Sequence, residues 1–238
     1  MMMRSGPASR GMDGVTQVDE EPIFVEPRWP IALAVSAFTA ITVTLRVLEP
    51  ERESLGPTWL VPGIEIALLA ALIAADPARV AARANWLRRL SIALVAALAV
   101  VALSSTAVLI ADLIRGASVA DSAGPLLTSG ALIWLGNSLV FGLLYWLLDS
   151  GGPLARYRGE REHPDFAFTQ QMSPELAPPG WRPQFVDYLV LGLTTSTAFS
   201  PTDVMPMVLW AKLTMALQSL ISLLVFGLVI ARAVNVFS

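Results

Sequence analysis

Residues 185–206 read FVDYLVLGLTTSTAFSPTDVMP, and the length of the apolar part, Phe185–Ala198, decides the architecture. A membrane crossing needs roughly 17–25 helical residues to pass about 30 Å of hydrocarbon. Fourteen residues fall short, so this segment is expected to be a re-entrant or buried half-helix. It ends in four hydroxyl residues, Thr194, Thr195, Ser196 and Thr197. Irregular backbone at membrane depth is tolerated only where protein or a water-filled cavity surrounds it. Residues 199–206 therefore form the expected turn, and residues 207–237 are long and apolar enough to cross. Short helix, irregular return and long helix is the order of a pore loop.

Four more blocks of spanning length lie upstream, at residues 31–48, 59–75, 90–114 and 126–148. All should be helices, because lipid offers backbone N–H and C=O groups no other partner. Trp29, Trp59, Trp86, Trp146 and Trp210 sit near span ends, as interfacial anchors do. The chain has 238 residues, 55% hydrophobic and 15% charged, where soluble domains are about a quarter charged. The fold class is thus all-α: a polytopic membrane protein with five spanning helices and one half-helix before the last. Three units follow. Residues 1–30 are a disordered tail, 31–125 a three-span bundle, and 126–238 a channel-like module. That module comprises an outer helix (126–148), a polar loop (149–184), a pore helix (185–198), a filter-like loop (199–206) and an inner helix (207–237). The tail lacks a secretory cleavage pattern, so the first span reads as an uncleaved signal-anchor, and Met2, Met3 and Met12 leave the start residue open.

Composition also removes several functions. A net charge of −3 gives no basic field for nucleic acid. Without cysteine there is no disulfide, thiolate metal site or cysteine nucleophile. The one histidine, His163, cannot build a two-histidine metal site, and its HPD tripeptide with Pro164 and Asp165 reads as chance. No nucleophile elbow, P-loop or dinucleotide fingerprint is present. The chain is therefore expected to be no enzyme, with no metal or cofactor.

The carboxy-terminal residues resemble the pore module of the potassium-channel superfamily. There an acidic residue opens a Thr-rich pore helix, and an Asp and a Pro follow the filter. Asp187, Leu189, Thr195, Thr197, Asp203 and Pro206 fall into that pattern without a gap. The resemblance places Ala198, Phe199, Ser200, Pro201 and Thr202 where the family has its TVGYG filter. Both filter glycines are missing, and they are what accept positive φ at little cost. Ser200 and Thr202 would each resist by about 1–2 kcal/mol, and Pro201 fixes its own φ. The resemblance thus implies a channel-like tetramer around small ions, without the potassium cage. The layout from Ile31 onward also resembles a group of bacterial integral membrane proteins, a resemblance that brings no activity with it.

Single residues carry two readings each. The hydroxyls of Thr194, Thr195, Ser196 and Thr197 could face a cation at the negative end of the helix dipole, or back-bond to helix carbonyls. Asp203 could form a ring of carboxylates at the mouth, or cap the next helix with Pro206 in its first turn. Arg46 and Glu65 are placed within reach by a hairpin of the first two spans, where the intramembrane carboxylate could be functional or the two could form a structural ion pair. Lys212, Gln218, Ser219 and Ser222 could line a wet path or glue helices together. Gly227 could permit a bend or close packing.

Arg4, Arg10 and Arg28 precede the first span and Arg79, Arg83, Arg88 and Arg89 follow the second, which puts the amino terminus in the cytoplasm of a cell-membrane protein. By parity the loop with Arg156, Arg158, Arg161 and Arg182 is cytoplasmic too. The pore loop then enters from the inner side, as in ionotropic glutamate receptors and opposite to potassium channels. Two functions remain: a tetrameric, unusual ion channel in the lipid bilayer, or a non-conducting membrane scaffold whose loop binds a partner.

Overall fold

The structure, a computed structural model, describes residues 29–48, 63, 66, 84–115, 123–198 and 203–237. Helices α1 (Trp29–Leu48) and α2 (Ala84–Arg115) precede α3 (Ala123–Leu148). A 3-10 turn (Asp149–Gly151), α4 (Pro153–Arg158), β1 (Phe166–Phe168), α5 (Thr169–Met172) and a second 3-10 turn (Pro174–Leu176) follow. The chain continues through α6 (Phe185–Ala198), β2 (Val204–Pro206) and α7 (Leu209–Phe237). Among the described residues four helices are long and apolar enough to cross a membrane: Trp29–Leu48, Arg88–Arg115, Ala123–Gly151 and Leu209–Val236. A mostly helical, membrane-embedded protein fits them. Apart from Gly63 and Ile66, the expected span at 59–75, with Glu65, lies outside the described residues, as do residues 1–28 of the tail.

Several boundaries move, each for a local reason. Helix α1 starts at Trp29, not 31, because Pro30 suits a first helical turn where its missing N–H is no loss. Helix α2 starts at Ala84, since hydropathy marks only the membrane-compatible part and the helix continues through Arg88 and Arg89. Helix α7 starts at Leu209 because Pro206 ends a strand instead of opening the helix. The polar connection 149–184 is folded, and its three-residue strand is a small addition to a mostly helical structure that fits the all-α class.

The central element is α3, on which α1, α2, α6 and α7 all pack. It is consequently buried on several faces, through Leu126, Ile133, Val140, Leu143 and Tyr145. Helix α7 instead buries one stripe, Ala211, Met215, Gln218, Ser222, Val225, Val229 and Ala233, at helical spacings of three and four. Its other side exposes Leu213, Leu217, Leu220 and Leu224. That division suits a helix with lipid on one side, where exposed leucine carries no hydrophobic penalty.

Candidate functional site

The site is built around α6, which is held at its start, along its length and at its end. At the start, β1 pairs antiparallel with β2, with Phe166 opposite Pro206, Ala167 opposite Met205 and Phe168 opposite Val204. Two backbone bonds extend the ribbon, Thr169 N to Asp203 O at 3.0 Å and Met207 N to Asp165 O at 2.8 Å. Aromatic edges then join the ribbon to three helices. Phe166 meets Trp210 of α7 at 5.5 Å and Tyr145 of α3 at 5.1 Å, while Phe168 meets Tyr188 of α6 at 5.2 Å. Helices α6 and α7 therefore both set out from the ribbon.

Beside the ribbon lies a buried carboxylate, Asp149, 1% exposed at the end of α3. Its Oδ1 accepts the backbone N–H groups of Asp165 (3.0 Å) and Phe166 (3.3 Å) and the Ser150 hydroxyl (2.9 Å). Its Oδ2 accepts the Tyr188 hydroxyl. Asp165 reciprocates by accepting the Ser150 N–H at 2.9 Å, which holds Ser150 at a left-handed φ of 54°. Gly152 follows at φ 104°, a region that side chains disfavour, and there a Cβ would lie 3.0 Å from Leu147 O. Arg156 donates to Trp146 O (2.6 Å) and Asp149 O (2.9 Å) and stacks 4.9 Å from the Tyr188 ring. These bonds fasten the elements together, leaving Arg156 Nη2 buried without a hydrogen-bond partner among the described residues, and no cluster of acids or histidines there could hold a metal.

Along its length α6 lies against α3 with backbones nearly touching. A Cβ on Gly192 would sit 2.7 Å from Ser138 O, and one on Gly142 would sit 3.1 Å from Leu189 Cα. Small residues permit this approach between membrane helices. Beside the contact, Gln218 of α7, 1% exposed, donates to Gly192 O (2.6 Å) and Ser196 Oγ (2.7 Å) and accepts from Tyr145 OH (2.5 Å). Ser138 Oγ completes the set, 2.9 Å from Ser196 Oγ. One glutamine thus joins α3, α6 and α7. Of the two readings of Gln218, gluing matches these contacts.

The hydroxyl end divides into distinct roles. Thr194 Oγ1 back-bonds to Val190 O (2.9 Å) and the exposed Thr197 Oγ1 to Leu193 O (3.1 Å). Ser196 belongs to the Gln218 network. Thr195 is buried, its carbonyl 3.3 Å from Ser219 Oγ, and its hydroxyl has no hydrogen-bond partner among the described residues. Ala198 closes the helix, and Phe199, Ser200, Pro201 and Thr202 lie outside the described residues. Asp203 is exposed and cannot cap the next helix, which starts six residues later at Leu209; this corrects the capping alternative. The pair expected between Arg46 and Glu65 falls outside the described residues through Glu65.

At the entrance Asp187 accepts the Gln184 N–H at 2.7 Å while its own N–H donates to Gln184 O at 3.0 Å, closing the first turn of α6. Burial raises the Asp187 pKa above the ordinary carboxylate value, against the lowering effect of those backbone bonds, and the nearby Asp203 charge raises it further. Sequence reasoning missed Asp149, Asp165 and Tyr188 as a cluster. The one usable signal was an Asp-Ser-Gly-Gly turn ending a span. Comparison with family models, curated proteins and solved structures finds no match to this chain.

Proposed function

We propose that this is a multi-span membrane protein whose α6 and the turn after it form a channel-like re-entrant loop, assembled as a tetramer to pass a small ion other than by the potassium mechanism. The observation that carries the reading is that α6 and α7 leave the same ribbon and run the same way, meeting at Thr195 and Ser219. Helix α6 is about 21 Å long at 1.5 Å per residue, too short to cross about 30 Å of hydrocarbon. Its hydroxyl-bearing end therefore stops partway along α7. One loop encloses no pore, so several copies are needed, and the resemblance to the potassium-channel pore module implies four.

Exposed Arg88 and Arg89 at the start of α2 and Arg158, Arg161 and Arg182 in the folded connection favour a cytoplasmic ribbon end, with α6 entering from that side. Asp203, exposed at the same end, would repeat as a ring of carboxylates that gathers cations. The test is ion flux through purified protein in liposomes. Asp203→Asn and Thr197→Ala should each change it, and unaltered flux in both removes these residues from the path.

A second reading, a non-conducting scaffold, is supported by the hydroxyls of Thr194 and Thr197, whose hydrogens are donated to carbonyls of their own helix. It predicts no flux and no species above a dimer on crosslinking, whereas a ladder stopping at four supports the channel.

A further inference from the structure

Among the described residues, two charged groups near the ribbon end lack an opposite charge within one copy. Lys212 is exposed one turn into α7, and its ammonium has no hydrogen-bond or ion-pair partner among the described residues. An unpaired charge entering an apolar span is costly, so a partner is expected for it. Asp187 is half-buried, its carboxylate accepts the Gln184 N–H, and its charged neighbour is another acid, Asp203.

The helices place these groups at one depth. Ser219 meets Thr195, and α6 and α7 run the same way. Seven residues back toward the ribbon on each helix, about 10 Å, bring Lys212 level with Tyr188, next to Asp187. Seven residues is also two turns, so Lys212 shares the face of Ser219, and Asp187 shares the face of Thr194. The adjoining side of α6 exposes Val186 and Val190. The result is one apolar flank with a cation and an anion at equal height.

Resting on the channel-type reading, we propose that this flank of α6 and α7 is the contact with a second copy of the chain, in which Lys212 of one copy pairs with Asp187 of its neighbour. Rotation about an axis normal to the membrane preserves depth, so an ion pair between symmetric copies requires its two members at the same height. Head-to-tail contacts of this kind close into rings. The apolar surroundings strengthen the attraction relative to water.

The full-length protein in detergent is tested by its size against concentration, for wild type, Lys212→Glu, Asp187→Lys and the double exchange. Assembled wild type, at least tenfold easier dissociation of each single variant, and recovery in the double are expected. The neutral variants Lys212→Gln and Asp187→Asn guard against misfolding: the two together should weaken assembly no more than either alone, and additive weakening overturns the pair. Single variants that assemble like wild type, or that lower thermal stability without altering size, also overturn the pair and leave the tetramer standing, with the flank facing lipid. Wild type that stays a single copy at every concentration overturns both.

Discussion

Tyr188 donates its hydroxyl to Asp149, so the first turn of α6 hangs from the residue that ends α3. Both groups are buried, and a carboxylate acceptor makes this bond stronger than one between neutral groups. Tyr188→Phe should cost about 1.5–3 kcal/mol, the range for bonds to charged groups. Asp149→Asn should cost more, because the amide turns one acceptor into a donor while three other donors still point at the site. The double variant should cost less than the sum, and full additivity in unfolding measurements would deny the coupling.

Gln218 has no apolar substitute. Gln218→Leu leaves Gly192 O, Ser196 Oγ and Tyr145 OH short of a partner at once, at a cost of roughly 1–3 kcal/mol. Gln218→Glu keeps the acceptor for Tyr145 and loses both donated bonds, so it should fare no better. Thermal unfolding in detergent orders the three proteins, and a leucine variant as stable as wild type would remove the network from the packing of α6.

Gly192 and Gly227 separate close approach from helix propensity. Gly192→Ala drives a methyl group into the α3 backbone and should cost about 1–3 kcal/mol by overpacking. Nothing lies within 4 Å of a Cβ on Gly227, so Gly227→Ala should be neutral or stabilise by up to about 1 kcal/mol. Equal effects at the two positions would contradict the contact between α3 and α6.

Thr195→Val removes a buried hydroxyl that has no hydrogen-bond partner among the described residues. Stability should hold or rise by about 1 kcal/mol, since no bond is lost and a desolvated polar group is. Under the channel reading the same variant lowers ion flux. A loss of stability would show that the hydroxyl is bonded after all.

The raised pKa of Asp187 fixes the sign of one pH effect. In a dissociated copy the folded state holds this proton more tightly than the unfolded chain, whose value is near 3.8. The contribution to stability is then full below 3.8 and declines as pH rises through the window up to the folded value. Asp187→Asn keeps an acceptor for the Gln184 N–H and cannot titrate. Its melting temperature relative to wild type should therefore climb across that window, and a flat difference would contradict the shift.

The sequence made α6 legible because its fourteen residues could be weighed against a fixed thickness of hydrocarbon, and the helix runs over the expected positions. The ribbon was not legible. Its strands, Phe166–Phe168 and Val204–Pro206, are three residues each, carry no alternation of polarity, and pair across a long sequence separation. Asp149 and Asp165 escaped for a related reason: each looks like an ordinary loop acid until folding brings backbone donors to it. Gln218 was recognised as unusual, but only the position of Gly192 and Ser196 decides between a wet path and a joint. The back-bonding of Thr194 and Thr197 was one of two stated alternatives, because a short-range hydroxyl-to-carbonyl bond needs nothing beyond its own helix.

The ribbon also imposes a timetable on biosynthesis. Strand β1 is made well before its partner, so Phe166, Ala167 and Phe168 must wait until residue 206 has left the ribosome before their edge is covered. A nascent chain interrupted before Val204 would carry an aromatic, unpaired edge of the kind that invites aggregation. Ribosome stalling in that interval should accordingly yield fragments that are degraded or captured by chaperones, while chains released after β2 are spared.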